Sequence, residues 1–128
     1  MIKLYTSRSN LACKKAKEWL QDHQLEFEEI NWYHQGMSLP EFHKILSLTD
    51  NGFLDIISTR SNAYPKFIKK MHKYSLTEVH GILLREKTLL RMPIILDEQC
   101  IQIGFNPNDI RKFVPRKYRE QCRKVMKV

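Results

Sequence analysis

Asn10 and Cys13 occupy the two sulfur positions of a Cys-x-x-Cys spacing, but only Cys13 brings sulfur. The apolar run Ile2-Lys3-Leu4-Tyr5-Thr6 leads into the polar turn Ser7-Arg8-Ser9-Asn10. Ala12, Ala16, Trp19 and Leu20 follow at i, i+4, i+7 and i+8, the spacing of one helical face. A strand, a tight turn and a helix therefore place Cys13 in a first helical turn, where free N–H groups favour negative charge. A thiolate there would form mixed disulfides with a small thiol. The other reading of Cys13 is a small apolar contact against the sheet. Asn10 cannot act as a nucleophile; its amide oxygen suits an N-cap that accepts from a free backbone N–H.

The remaining chemistry-bearing residues are sparser. Arg60 stands among Ser58, Thr59 and Ser61, and two roles are open to it: binding an anion, or pairing with a helix C-terminus. Cys100 and Cys122 lie far from Cys13, and neither the cysteines nor the five histidines (His23, His34, His43, His72, His80) show metal-ligand spacing. We expect surface histidines and no metal or cofactor. An odd cysteine count in a chain whose start reads directly as a strand points to reduced thiols, no secretory signal and a cytoplasmic location.

Several elements must position these residues. Leu25 to Trp32 alternates imperfectly and reads as a second strand. Ser38-Leu39-Pro40-Glu41 is a capping box that opens a helix bearing Phe42, Ile45 and Leu46, and Asp50-Asn51-Gly52 breaks it. The short apolar piece Phe53-Leu54-Asp55-Ile56-Ile57 follows, and Pro65 starts a lysine-rich helical piece. Ser75-Leu76-Thr77-Glu78 is a second capping box ahead of Val79, Ile82 and Leu83. Met92-Pro93-Ile94-Ile95-Leu96 reads as a buried strand, Asp97-Glu98-Gln99 as a turn, and Cys100-Ile101-Gln102-Ile103 as its hairpin partner. Asn106-Pro107-Asn108-Asp109 caps a last helix with Ile110 and Phe113 facing inward. The order is βαβ, then helices over about 38–90, then ββα. That is an α/β chain of thioredoxin-like layout, read as one domain over 1–128. Its thioredoxin-like part covers about 1–34 and 91–115, with a helical insert between the halves.

At 128 residues with 42% hydrophobic content the chain can bury a core. The net charge of +8 is concentrated at the end. Arg111, Lys112, Arg116, Lys117, Arg119, Arg123, Lys124 and Lys127 face only Glu120, giving this segment +7 and the rest of the chain +1. A tail over 116–128 of this density either contacts nucleic acid or an acidic protein face, or is a solvated segment. With only Phe113 and Tyr118 interleaved, any nucleic-acid contact would be to phosphate and salt-sensitive rather than by stacking.

The punctuation along the chain resembles a known family. Leu4-Tyr5-Thr6-Ser7, Cys13-Lys14-Lys15-Ala16, Asp50-Asn51-Gly52, Ile56-Ile57-Ser58-Thr59-Arg60-Ser61, Leu89-Leu90-Arg91-x-Pro93-Ile94-Ile95, Asn106-x-x-Asp109-Ile110-Arg111 and the Pro-Arg-Lys at 115–117 are similar to the Spx branch of the arsenate reductase-like (ArsC/Spx) family. The resemblance implies a cytoplasmic bacterial regulator that binds the C-terminal domain of the RNA polymerase α subunit under thiol stress. It places that contact at Gly52, with Asp50 and Asn51 beside it. Gly52 also has a second reading, as a helix C-cap. The same resemblance implies that the arsenate reductases' nucleophilic cysteine matches Asn10 and that one of their anion-binding arginines matches Met92. Arg91 is expected on the opposite face of an extended strand. Arsenate reduction and the usual Cys-x-x-Cys switch are therefore both expected to be missing. Pro93 resembles the family's cis-proline, and the tail, with Arg116, Lys117, Arg119, Arg123 and Lys124, is the candidate for promoter-phosphate contacts.

Overall fold

A computed structural model describes residues 1–7 and 10–114. The basic tail 116–128, Cys122, and the turn residues Arg8 and Ser9 lie outside the described residues.

Four strands form one sheet in the order β2-β1-β3-β4: β1 Ile2–Thr6, β2 Phe27–Asn31, β3 Ile94–Leu96 and β4 Ile101–Ile103. β1 runs parallel to β2 and antiparallel to β3, and β3 and β4 form the hairpin. The parallel pair needs a crossover, which helix α1 (Leu11–Asp22) supplies. Side chains alternate across the sheet. Ile2, Leu4 and Ile95 pack with Ala16 and Leu20 of α1 and with Ile110 and Phe113. Tyr5, Ile94 and Leu96 face the other way, onto Trp32, Phe42, Ile56, Phe67, Val79 and Leu83.

That second face is covered by α3 (Leu39–Ser47), α4 (Tyr64–Lys70) and α5 (Leu76–Arg85), with 3-10 turns at Gly52–Asp55, Met71–Lys73 and Lys87–Leu89. The helical reading of this stretch is interrupted at Ile57, which forms an isolated antiparallel bridge to Leu90. Ser75 and Glu78 complete a reciprocal capping box. At Ser38 only half of one exists: Ser38 Oγ accepts from Glu41 N–H, but the Glu41 carboxylate accepts from Lys3 Nζ at 3.3 Å, tying α3 to β1. Burial, then that same carboxylate, pushes the Tyr5 phenol well above its ordinary value.

Three other elements depart from the sequence reading. The second strand stops at Asn31, whose side-chain oxygen accepts from Tyr33 and His34 N–H and caps the short helix α2 (Trp32–Gln35), ended by Gly36 at φ +63°. The third strand begins only at Ile94, after a cis Met92–Pro93 bond. The last helix is a 3-10 segment, Asp109–Phe113, held by Asn106 Oδ1 and by buried Gln102, whose amide donates to Asp109 at 2.9 Å. Two histidines are not plain surface groups either: His23 is half-buried, stacked on Trp19, and the ring of half-buried His80 bonds Met37 O at 2.7 Å.

Trp32 is 1% exposed and its indole donates to Lys87 O at 3.0 Å, while Lys87 Nζ returns to Tyr33 O at 2.6 Å. This strap fastens the end of β2 to the segment that enters β3. Trp32→Phe should leave the Lys87 carbonyl only the longer 3.4 Å bond from Leu90 N–H and cost about 1 kcal/mol for the lost hydrogen bond, measured as a lower denaturation midpoint with unchanged m-value.

Candidate functional site

The two halves of the Cys-x-x-Cys spacing come together as a helix cap. Asn10 adopts extended φ and ψ, and its Oδ1 accepts from Cys13 N–H at 3.1 Å. Cys13 is 4% exposed, with its sulfur accepting from Ser7 N–H at 3.5 Å. Burial pushes the thiol up, and the opposing pull of Ser7 does not offset it. At neutral pH the group is a packed thiol, whereas helix position alone suggested a lowered value. Burial outweighs the helix terminus here.

Beside this turn lies a polar cleft of about 670 Å³, lined by Asn10, Ser58, Thr59, Arg60, Arg91 and Met92 among others. Arg60 is exposed and, among the described residues, forms no ion pair. Arg91 shares the cleft wall with Met92, contrary to the strand-alternation argument, because β3 begins only at Ile94. Its guanidinium donates to Asp55 O at 3.3 Å.

That contact leads to the second feature, the turn at Gly52. Helix α3 ends at Ser47 with Leu48 as its cap, so Gly52 is not the cap of that helix but opens the following 3-10 turn at φ +66°. The geometry favours glycine for its backbone alone. An added Cβ would meet nothing within 4 Å. Asp50 and Asn51 are exposed, as is Leu54 at 46%. The turn is held from below by Asp55, whose carboxylate accepts from Asp50 N–H at 3.1 Å, Asn51 N–H at 3.0 Å and Asn51 Nδ2 at 3.2 Å. Thr49 Oγ1 closes it from the other side against Leu46 O and Gly52 O. The bonds from Asn51, then Asp50, with Arg91 nearby, hold the Asp55 carboxyl below the usual carboxylate range. Asp55 and Thr49 carry no family signature; the visible signal is an acid four residues after an Asn in a turn, the spacing of local side-chain-to-backbone bonds.

A profile of the ArsC family matches residues 5–113. Curated relatives named global transcriptional regulator Spx are 42% identical over 93% of this chain and 90% of theirs in Lactiplantibacillus plantarum, and 40% identical over 93% and 91% in Bacillus subtilis. The fold is shared with solved structures of low identity. An ArsC family related protein from Bacteroides fragilis superposes with TM-score 0.73 at 19% identity, covering 87% of this chain and 95% of that one. Arsenate reductase from Vibrio cholerae superposes with TM-score 0.72 at 13% identity, covering 88% and 97%. No helix among the described residues is long and apolar enough to cross a membrane.

Two measurements follow from this geometry. Diamide should form no internal disulfide at Cys13 in the parent, whereas Asn10→Cys should create one in full yield, read by mass spectrometry as the loss of two protons. For the turn, a folded-state value below the unfolded one means that Asp55 stabilises it fully above the ordinary Asp pKa of about 3.9. That contribution is lost as pH falls through the depressed value. Asp50 and Asn51 amide shifts should therefore hold steady from neutral pH to about pH 4 and move only below it.

Proposed function

The chain belongs to the ArsC family, as one of its Spx-type transcription regulators, and we propose that it acts by docking the Gly52 turn on the C-terminal domain of the RNA polymerase α subunit. The observation that carries this reading is the turn itself. It is exposed and internally hydrogen-bonded, and its glycine has open space where a side chain would stand. A residue without a side chain lets two backbones approach closely, and Asp50, Asn51 and Leu54 surround that point with polar and apolar contacts. By occupying the α surface, the protein changes which activators and promoters the polymerase uses. The tail bases Arg116, Lys117, Arg119, Arg123 and Lys124 would add promoter-phosphate contacts.

In this reading the usual disulfide switch is gone, since Asn10 supplies no sulfur and caps α1 instead. Arsenate reduction is not supported. The position matching its nucleophile is an amide, and Met92 stands where an anion-binding arginine would be. Arg60 and Arg91 in one cleft supply positive charge but no group that attacks.

Gly52→Arg should lower affinity for the isolated α C-terminal domain by more than tenfold, a loss above about 1.4 kcal/mol. Because nothing crowds the new Cβ, the folding cost should be only the left-handed backbone penalty of about 1 kcal/mol. Gly52→Asn, which tolerates that backbone, should fall between parent and arginine in binding. Titration calorimetry and circular dichroism on the same preparations test both. Parent-like binding by a folded Gly52→Arg protein would remove the turn from the interface.

A further inference from the structure

We propose that the outward face of α5, centred on Gly81, is a self-complementary surface on which a second copy of this chain docks, helix antiparallel to helix about a two-fold axis. Val79 and Leu83 turn the other side of α5 into the core. Glu78, Gly81 and Arg85 recur at i, i+3 and i+7, the spacing of one helical face. With Tyr74 and Ile82 they line a cleft of about 480 Å³. Gly81 lies inside the helix, where glycine is the poorest former short of proline. Its φ is not left-handed, and an added Cβ would meet nothing within 4 Å. Neither a turn nor a close internal contact calls for a glycine there; a helix approaching from outside does.

The two charges beside Gly81 are both exposed. Glu78 in the first turn and Arg85 in the last suit the helix dipole, which accounts for their signs but not for their isolation. Neither has an opposite charge three or four positions away, where a helix would pair it. About 10 Å of helix separates them from each other. Among the described residues neither forms an ion pair. Glu78 Oε1 accepts from Ser75 N–H at 3.4 Å, which engages one oxygen of its carboxylate.

A reversed copy of the same helix supplies what each charge lacks. A two-fold axis passing between Gly81 and Ile82 sets Glu78 level with Arg85 of the second copy, and Arg85 level with its Glu78. The same axis brings the two glycines to within about one residue rise of each other along the helices. No side chain then stands between the backbones at the crossing, and the Ile82 side chains flank it. Like charges stay about 10 Å apart along the axis, roughly a Debye length at physiological salt. One placement thus satisfies both ion pairs and uses the glycine, as an isologous contact must. A pair of ten-residue helices falls below the roughly 1,200 Å² of a stable interface, so the dimer is weak and forms at high micromolar concentration.

The test is sedimentation velocity of the full chain over a concentration series reaching the high micromolar range, with circular dichroism on each variant. The parent should pass from monomer to dimer. Gly81→Gln, a better helix former with open space for its Cβ, should melt no lower than the parent and weaken the dimer more than tenfold. Arg85→Glu and Glu78→Arg should each be monomeric alone, because each sets like charges level across the axis. Mixed in equal amounts they should form a heterodimer, since both pairs are then restored; only the reversed alignment makes that prediction. Gly81→Gln should bind the isolated α C-terminal domain as the parent does, which separates this proposal from the Gly52 reading. Four results overturn it: a parent that stays monomeric throughout, a Gly81→Gln protein that dimerises like the parent, folded charge variants that fail to associate when mixed, or a Gly81→Gln protein that loses the α domain, which would make the face part of that interface instead. If Glu78→Arg does not fold, the Gly81→Gln comparison decides alone.

Discussion

Two backbone hydrogen bonds hold the helical layer to the sheet at the one place where both candidate features meet. Ser58 N–H donates to Leu89 O at 2.7 Å and Arg91 N–H to Ile56 O at 2.8 Å, bracketing the Ile57–Leu90 bridge. Net, such bonds contribute about 1 kcal/mol each. The four side chains beneath them, Ile56, Ile57, Leu89 and Leu90, are 0 to 4% exposed, and each is worth about 1.5 to 3 kcal/mol on burial. Burial therefore supplies most of the strength of the junction, and the hydrogen bonds set its register. That register fixes the Gly52 turn on one side and the Arg91–Met92–Pro93 corner on the other. Arg91 belongs to both, through its bond to Asp55 O and its place in the cleft beside Asn10.

At the α1 N-terminus, one substitution changes what the same backbone does. A thiol at position 10 would present a nucleophile to solvent; the amide turns inward and satisfies a helix donor. Cys13, already buried, has no sulfur across the turn to exchange with and no lowered pKa to make it reactive. Strand β1 and helix α1 remain on either side, and Asn10 gives the start of the helix a structural role.

Much of this arrangement was legible from local pattern. The apolar run of β1, the helix after Asn10 and the Ser75–Glu78 box depend on neighbours within a turn or two, and they fold as read. Failures occur where a distant group competes. Glu41 abandons its capping box for Lys3, 38 positions away, because the carboxylate is only 14% exposed and an ammonium is in reach. The α2 helix needs Asn31 to cap and Gly36 to terminate within five residues, a span too short for periodicity to register. Arg91 was assigned a face by strand alternation before any strand exists there. At the candidate site, Gly52 drew attention through family resemblance, while the residues that shape it, Asp55 and Thr49, were silent because their role lies in bonds to main-chain atoms that no motif records.

Those bonds bear directly on how such a turn can serve as a docking element. Association costs about 0.5 to 1.5 kcal/mol for each flexible side chain that must be immobilised. An exposed loop of four polar residues would ordinarily carry that cost at every position. Here Asp55 engages the N–H groups of Asp50 and Asn51 and the Asn51 amide before any partner arrives, so the backbone is ordered as part of folding. Leu54 is left exposed at the same corner, and a partner that covers it gains apolar burial without first having to organise the turn. The insert thus presents an ordered contact point that carries the exposed Asp50 carboxylate beside Leu54.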